Sequence, residues 1–170
     1  MNKLRLSADL VERNLFPVWK TILFSERNGV RYKRLIKSSG MRVGKWANDL
    51  LSKPAFPCAS YGTEIRFVAL SGRDLGFMEK VRLREICTRA KEFGFHQSPS
   101  DAGPALRAVY EEQPLSERLI IAMIAVFDSK GIPRAFYVVN DRRGLGLYAN
   151  FLDPEELWPP EQKFVFMQEE

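Results

Sequence analysis

Apolar residues recur at helical spacing in the first third of the chain and fall into short β-rich runs between turn signals in the last third. Ser7 precedes a stripe of Leu10, Val11 and Leu15, which predicts a short leading helix ended by Pro17. "VWKTILF" reads as a strand and "SERNG" as a turn on its Asn-Gly pair. Tyr32 to Ser38 predicts a helix stopped by Gly40. Val43, Trp46, Ala47, Leu50 and Leu51 then follow at i, i+3, i+4, i+7 and i+8, a second helix closed by Pro54 and Pro57. "TEIRFVAL" has the composition of a strand, and "SGRDLGF" is a loop. Leu83, Ile86, Cys87 and Ala90 line one face of a helix within Met78 to Phe93, with Gly94 as its stop.

Pro104 lacks an amide hydrogen and is tolerated only in the first turn of a helix, so a helix starts just before it. Ser100 or Asp101 is its expected N-cap, and Ala105, Leu106, Val109 and Tyr110 its buried stripe. "LIIAMIAVF", Leu119 to Phe127, is a buried strand about half as long as a bilayer-crossing helix. After the turn "DSKGIP" the strands "RAFYVV" and "LGLYANF" flank the turn "NDRRG", and "KFVFM" is the last strand. Four strands with short connections predict an antiparallel meander. The expected fold is therefore α+β: a basic helical amino-terminal portion packed on a mostly antiparallel sheet of about five strands.

A chain of 170 residues, 45% hydrophobic and 28% charged, fits one domain, with residues 1–57 as the helical portion and 58–170 as the sheet portion. The first residues lack the apolar core and cleavage site of a signal peptide, so the expected address is the cytoplasm and no membrane partner is implied. Cys58 and Cys87 stand alone, without the spacing of a zinc site or a disulfide scaffold. The acidic residues are dispersed, so no metal site is expected, and "GLG" lacks the context of a dinucleotide loop, so no cofactor is expected either.

The formal net charge of +5 changes the picture through its distribution. Residues 31–53 hold Arg31, Lys33, Arg34, Lys37, Arg42, Lys45 and Lys53 against Asp49 alone, so the rest of the chain is slightly acidic. The two helices there have the outline of a helix-turn-helix, with Lys45 and Asn48 turned away from the apolar stripe. Arg142 and Arg143 sit at the tip of a predicted hairpin, where exposed guanidinium groups grip phosphate or carboxylate. The first expectation is thus a noncatalytic interaction module that binds nucleic acid or an acidic protein through these cations. The alternative is a small metal-independent, toxin-like ribonuclease using His96 or Tyr110 for proton transfer. A third is an obligate partner subunit of another protein. His96 lies beside Ser98, Ser100 and Asp101, but no nucleophile elbow is present, and the helix entry accounts for these residues without catalysis.

The stretch "SPSDAGPALRAVYEEQPLSERLIIAMIAVFDSKGIPRAFYVV", Ser98 to Val139, resembles a set of small uncharacterised bacterial proteins whose pattern runs CPAEVGP, LR, QY, DQP, an apolar strand and a DS-G-P turn. "WKTI" at Trp19 and "VGKWANDLLSKPAF" at Val43 extend the likeness over most of the chain. It implies one structural unit in a bacterial cell and transfers no activity. Ser98 replaces the pattern's cysteine and Arg118 its tryptophan, which weakens an enzymatic reading.

Overall fold

The turn at Arg142 and Arg143 joins two long strands in register. In the computed structural model, which describes residues 15–168, β8 (Pro133–Asp141) and β9 (Gly144–Phe151) pair from Asp141↔Gly144 to Arg134↔Phe151. Upstream lie β1 (Lys20–Leu23), α1 (Gly29–Ser38), β2 (Arg42–Val43), α2 (Lys45–Ser52), β3 (Glu64–Ser71), β4 (Val81–Arg82), α3 (Leu83–Glu92), β5 (Phe95–Gln97), α4 (Ala102–Val109), β6 (Arg118–Ile121) and β7 (Val126–Phe127). β10 (Leu157–Trp158) and β11 (Lys163–Gln168) follow β9. The leading helix expected before Pro17 falls on residues outside those described.

The fold is α+β, but its sheet has nine strands in the order β1-β3-β11-β6-β8-β9-β2, with β5 beside β11 and β7 beside β8. Pairing is mixed: β11 runs parallel to β6 and β2 parallel to β9, while the other contacts are antiparallel. The expected antiparallel meander therefore holds only for β6, β8 and β9, within a sheet larger than the five strands expected. β11 does not follow β9 at an edge, because Phe164, Val165 and Phe166 are apolar on both faces and all three are buried. Such a strand belongs in the middle of a sheet, here between β3 and β6. The amino-terminal portion supplies the strand expected in "VWKTILF", β1, and an unexpected one, β2, at the two ends of that order.

Helical stripes cover the two faces unequally. Tyr32 and Ile36 of α1, Ala47, Leu50 and Leu51 of α2, and Ala105 and Leu106 of α4 share one core with Leu119, Ile121, Phe136, Val138, Leu147 and Val165. On the opposite face Ile86 and Ala90 of α3 pack with Val68, Leu70, Ile120, Phe164 and Phe166. Alternate residues of one strand thus enter different cores, as the two-residue period requires. Among the described residues no helix lies over the β8-β9-β2 end of this second face, and none is long and apolar enough to cross a membrane.

Smaller departures have local causes. Val43 belongs to β2, not to the second helix, which starts after Gly44. The helix expected from Met78 starts at Leu83, because Val81 and Arg82 pair with β10. "LIIAMIAVF" is divided: Met123 bridges to Ser98, Ile124 turns outward, and β7 resumes against the start of β8. Val109, assigned to the buried stripe of α4, is 51% exposed.

Candidate functional site

The segment that holds the only histidine is built as a structural clamp. Arg107 is fully buried. Its guanidinium donates to Gln113 Oε1 at 2.5 Å, to the Val139 carbonyl at 3.3 Å and to the Tyr110 carbonyl, so it closes the chain back on itself after α4. Gln113 passes the contact on by donating to the carbonyls of Glu117 and Val138. Burial lowers the Arg107 pKa to about 10, still high enough to keep the charge at neutral pH.

Upstream, the Ser98 hydroxyl donates to the Val165 carbonyl at 2.9 Å. Asp101 occupies the N-cap position of α4, but its side chain does not cap the helix. It accepts instead from the Ser60 amide, 41 residues away in sequence, at 3.3 Å. Serine, aspartate and arginine in this stretch are thus tied up in holding α4 to β11, β8 and the 58–62 turn.

The two proton-transfer candidates are kept apart. His96, half-buried on β5, stands opposite Met167, which stands opposite Phe67, which stands opposite Lys20. Three interstrand steps of about 4.8 Å therefore separate His96 from the Lys20 side chain that lies over Tyr110. Tyr110 is buried edge-on against Trp19, and its hydroxyl donates to Glu117 at 2.9 Å. Burial, together with that carboxylate, raises its pKa and leaves a poor proton donor. Cys58 and Cys87 are likewise unreactive in character: burial pushes their thiols up to about 12 and about 11.

The second helix of the helix-turn-helix outline is fastened to the sheet portion. Asp49 on α2 accepts from the Ser129 amide and hydroxyl, and Lys53 donates to the Phe127 carbonyl, which fastens the helix to the turn after β7. Beneath that turn the Arg134 guanidinium rests 4.0 Å from the Trp46 ring centre and pairs with buried Asp128 at 2.8 Å. Burial pushes the Asp128 carboxyl up, but the Ile132 amide, Arg134 and the Lys130 amide together bring it below its ordinary range. These contacts occupy the Asp49 and Lys53 side of α2 and leave Lys45 exposed at its start.

The predicted cations divide into three groups. Arg31, Arg34 and Lys37 are exposed on α1, where Arg31 and Arg34 border a shallow groove of about 240 Å³ with Glu26, Leu35 and Ser38. Lys33 is half-buried and donates to Ser52. Arg42, Lys45, Arg142 and Arg143 lie around the β2-β9 edge. Arg42 is held there by Asp141 at 2.7 Å, the Gly144 carbonyl at 2.9 Å and the Tyr148 hydroxyl. Exposed Lys45 sits over Trp46, and Arg142 and Arg143 are exposed at the β8-β9 turn. Among the described residues Arg31, Arg34, Lys37, Lys45, Arg142 and Arg143 make no ion pair, nor do exposed Arg66, Lys80, Arg84, Lys91, Lys130 and Lys163 elsewhere, whereas Arg73, Arg82 and Arg89 are each matched to a glutamate.

Next to this edge the open sheet face carries a row of planar groups across four strands. Arg118 on β6 lies 4.2 Å from the ring centre of Tyr137 on β8; Tyr137 stacks on Tyr148 of β9 with centres 5.4 Å apart and planes within 20°; and Arg42 of β2 lies 5.5 Å from Tyr148. The alignment follows from register, since Ile120↔Tyr137 and Tyr137↔Tyr148 are cross-strand partners. Compared with protein-family models, curated proteins and solved structures, the chain matches none. Function therefore has to be argued from these side chains.

The tyrosine pair was within reach of the sequence, because a two-residue turn at Arg142-Arg143 places Tyr137 opposite Tyr148 by counting. Arg118 and Arg42 were not legible as parts of the row. Their places depend on β6 and β2 flanking the hairpin, which no local pattern encodes.

Proposed function

We propose that the protein is a noncatalytic nucleic-acid-binding module. The observation that supports this most is the set of six exposed cations, Arg31, Arg34, Lys37, Lys45, Arg142 and Arg143, without ion pairs among the described residues. A cation already matched to a carboxylate gains little from a phosphate, whereas an unmatched one releases the phosphate's counterion on binding. The charge is carried on α1 and the β2-β9 edge, not on an inserted helix, which favours contacts to the backbone over readout of a duplex groove.

Fluorescence anisotropy with labelled 12-nucleotide RNA, single-stranded DNA and duplex DNA, at salt concentrations from about 50 to 200 mM, tests the proposal. Engagement of all six cations by a single strand gives a slope of log K against log salt of about −4. Lys37→Glu lowers the affinity at low salt and reduces the slope by about one. Absence of binding to every oligonucleotide at 50 mM salt overturns the proposal and leaves the cations as a docking surface for an acidic protein.

A further inference from the structure

We propose that the open face of β8, β9 and β2 receives the bases of a single-stranded nucleic acid on Tyr137 and Tyr148, with the surrounding cations on its phosphates; this rests on the nucleic-acid reading above. Two observations beyond charge carry it. First, space has been cleared for the platform. The Tyr148 ring lies across Gly44 and Gly146: a Cβ at Gly146 would come within 2.6 Å of a ring carbon, and one at Gly44 would also overlap the ring. Only the absence of both side chains lets this tyrosine rest on the sheet nearly parallel to Tyr137.

Second, the row has one locked end and one open end. Arg42 is fixed by Asp141, Gly144 and Tyr148. Arg118 is exposed, and among the described residues its guanidinium has no ion pair and no hydrogen-bond acceptor; its one contact of note is the Tyr137 ring. A base stacks on a tyrosine more strongly than an exposed cation does, so a base displaces Arg118 from Tyr137, and the freed guanidinium turns to the adjoining phosphate. A duplex cannot do this, because its bases are already stacked and present only their edges. An acidic protein would satisfy the cations but would leave the paired rings without a role.

The test compares three labelled probes of equal length at one moderate salt concentration: an ordinary single strand, an abasic single strand of the same charge, and a duplex. The ordinary strand is expected to bind about five- to 150-fold more tightly than the abasic one. Tyr137→Ala brings that ratio close to one and leaves the salt dependence of the abasic strand unchanged. Arg142→Ser with Arg143→Ser weakens both strands and preserves the ratio. Because a half-buried tyrosine also contributes to packing, a strand carrying 2-aminopurine is titrated with the unaltered protein, and its fluorescence is expected to be quenched on binding. Equal affinity for ordinary and abasic strands, preference for the duplex, or unquenched 2-aminopurine overturns the platform while leaving phosphate binding intact. Failure of every probe to bind overturns both proposals.

Discussion

Gly103→Ala sets helix propensity against packing, and the structure says which wins. Gly103 is the second residue of α4, where alanine would favour the helix by at most about 1 kcal/mol. A Cβ built there lies 2.5 Å from Phe136 Cβ and 2.7 Å from its Cγ, whereas carbon atoms in contact settle about 3.5–4.0 Å apart. About 1 Å of overlap must be relieved. Neither side yields easily: Phe136 is fully buried with its ring edge-on to Phe56 at 5.9 Å, and α4 is pinned by Arg107 at one end and Asp101 at the other. Overpacking of this kind costs about 1–3 kcal/mol, so the net effect is a loss of about 1–2 kcal/mol. In urea melts the midpoint should fall with an unchanged slope, and the melting temperature should drop by a few degrees. Gly72→Ala is the control, since its nearest neighbour stands at 3.4 Å, and it should stay within about 0.5 kcal/mol. A Gly103→Ala protein as stable as the parent, or more so, would refute the packing argument.

Two further outcomes follow from buried and half-buried ionisable groups. Burial raises the Asp101 carboxyl despite its bond from Ser60, so the fold retains this proton to higher pH than the unfolded chain does. The stability tied to it is complete below the ordinary carboxylate range and is lost as pH rises through the raised value. Asp101→Asn removes that decline. Urea midpoints of parent and variant should diverge in the variant's favour as pH rises above the ordinary carboxylate range, and parallel profiles would count against a strained buried carboxylate. Cys58 and Cys87, with thiols pushed up to about 12 and about 11, should react with a disulfide reagent at pH 8 on the order of a hundredfold more slowly than a free cysteine, and at full speed in urea. Rapid labelling of the folded protein would show that one of these thiols is activated.

Local patterns located most elements and failed where neighbours decide. The stripe of Ala47, Leu50 and Leu51 and the alternation of β3 are properties of a few consecutive residues, and both elements form where expected. Val43 has the same spacing as the α2 stripe yet pairs with Leu147 in a parallel bridge, a partner 104 residues away. β11 was recognisable as a strand, but its place depends on β3 and β6 presenting apolar partners on either side. The candidate site was legible to the same extent. The exposed cations stand out in composition and the paired tyrosines in hairpin arithmetic, whereas the guanidinium groups at either end of the row depend on strand order. Asp101 looks like chemistry in the sequence because it is charged and close to His96, and only its partner Ser60 shows it to be a fastener, as Gln113 and two carbonyls show for Arg107.

The central position of β11 also orders events during synthesis. Residues 163–168 separate β3 from β6, so as the chain emerges from the ribosome the β1-β3 pair and the β6-β8-β9 hairpins form without hydrogen bonds between them, each with an unsatisfied edge. Inserting one strand joins both ribbons and completes the two hydrophobic cores on opposite faces of the sheet in a single step. A chain terminated a few codons before residue 163 would keep two half-sheets with open facing edges instead of a slightly weakened protein, a state that quality-control proteases can recognise and degrade.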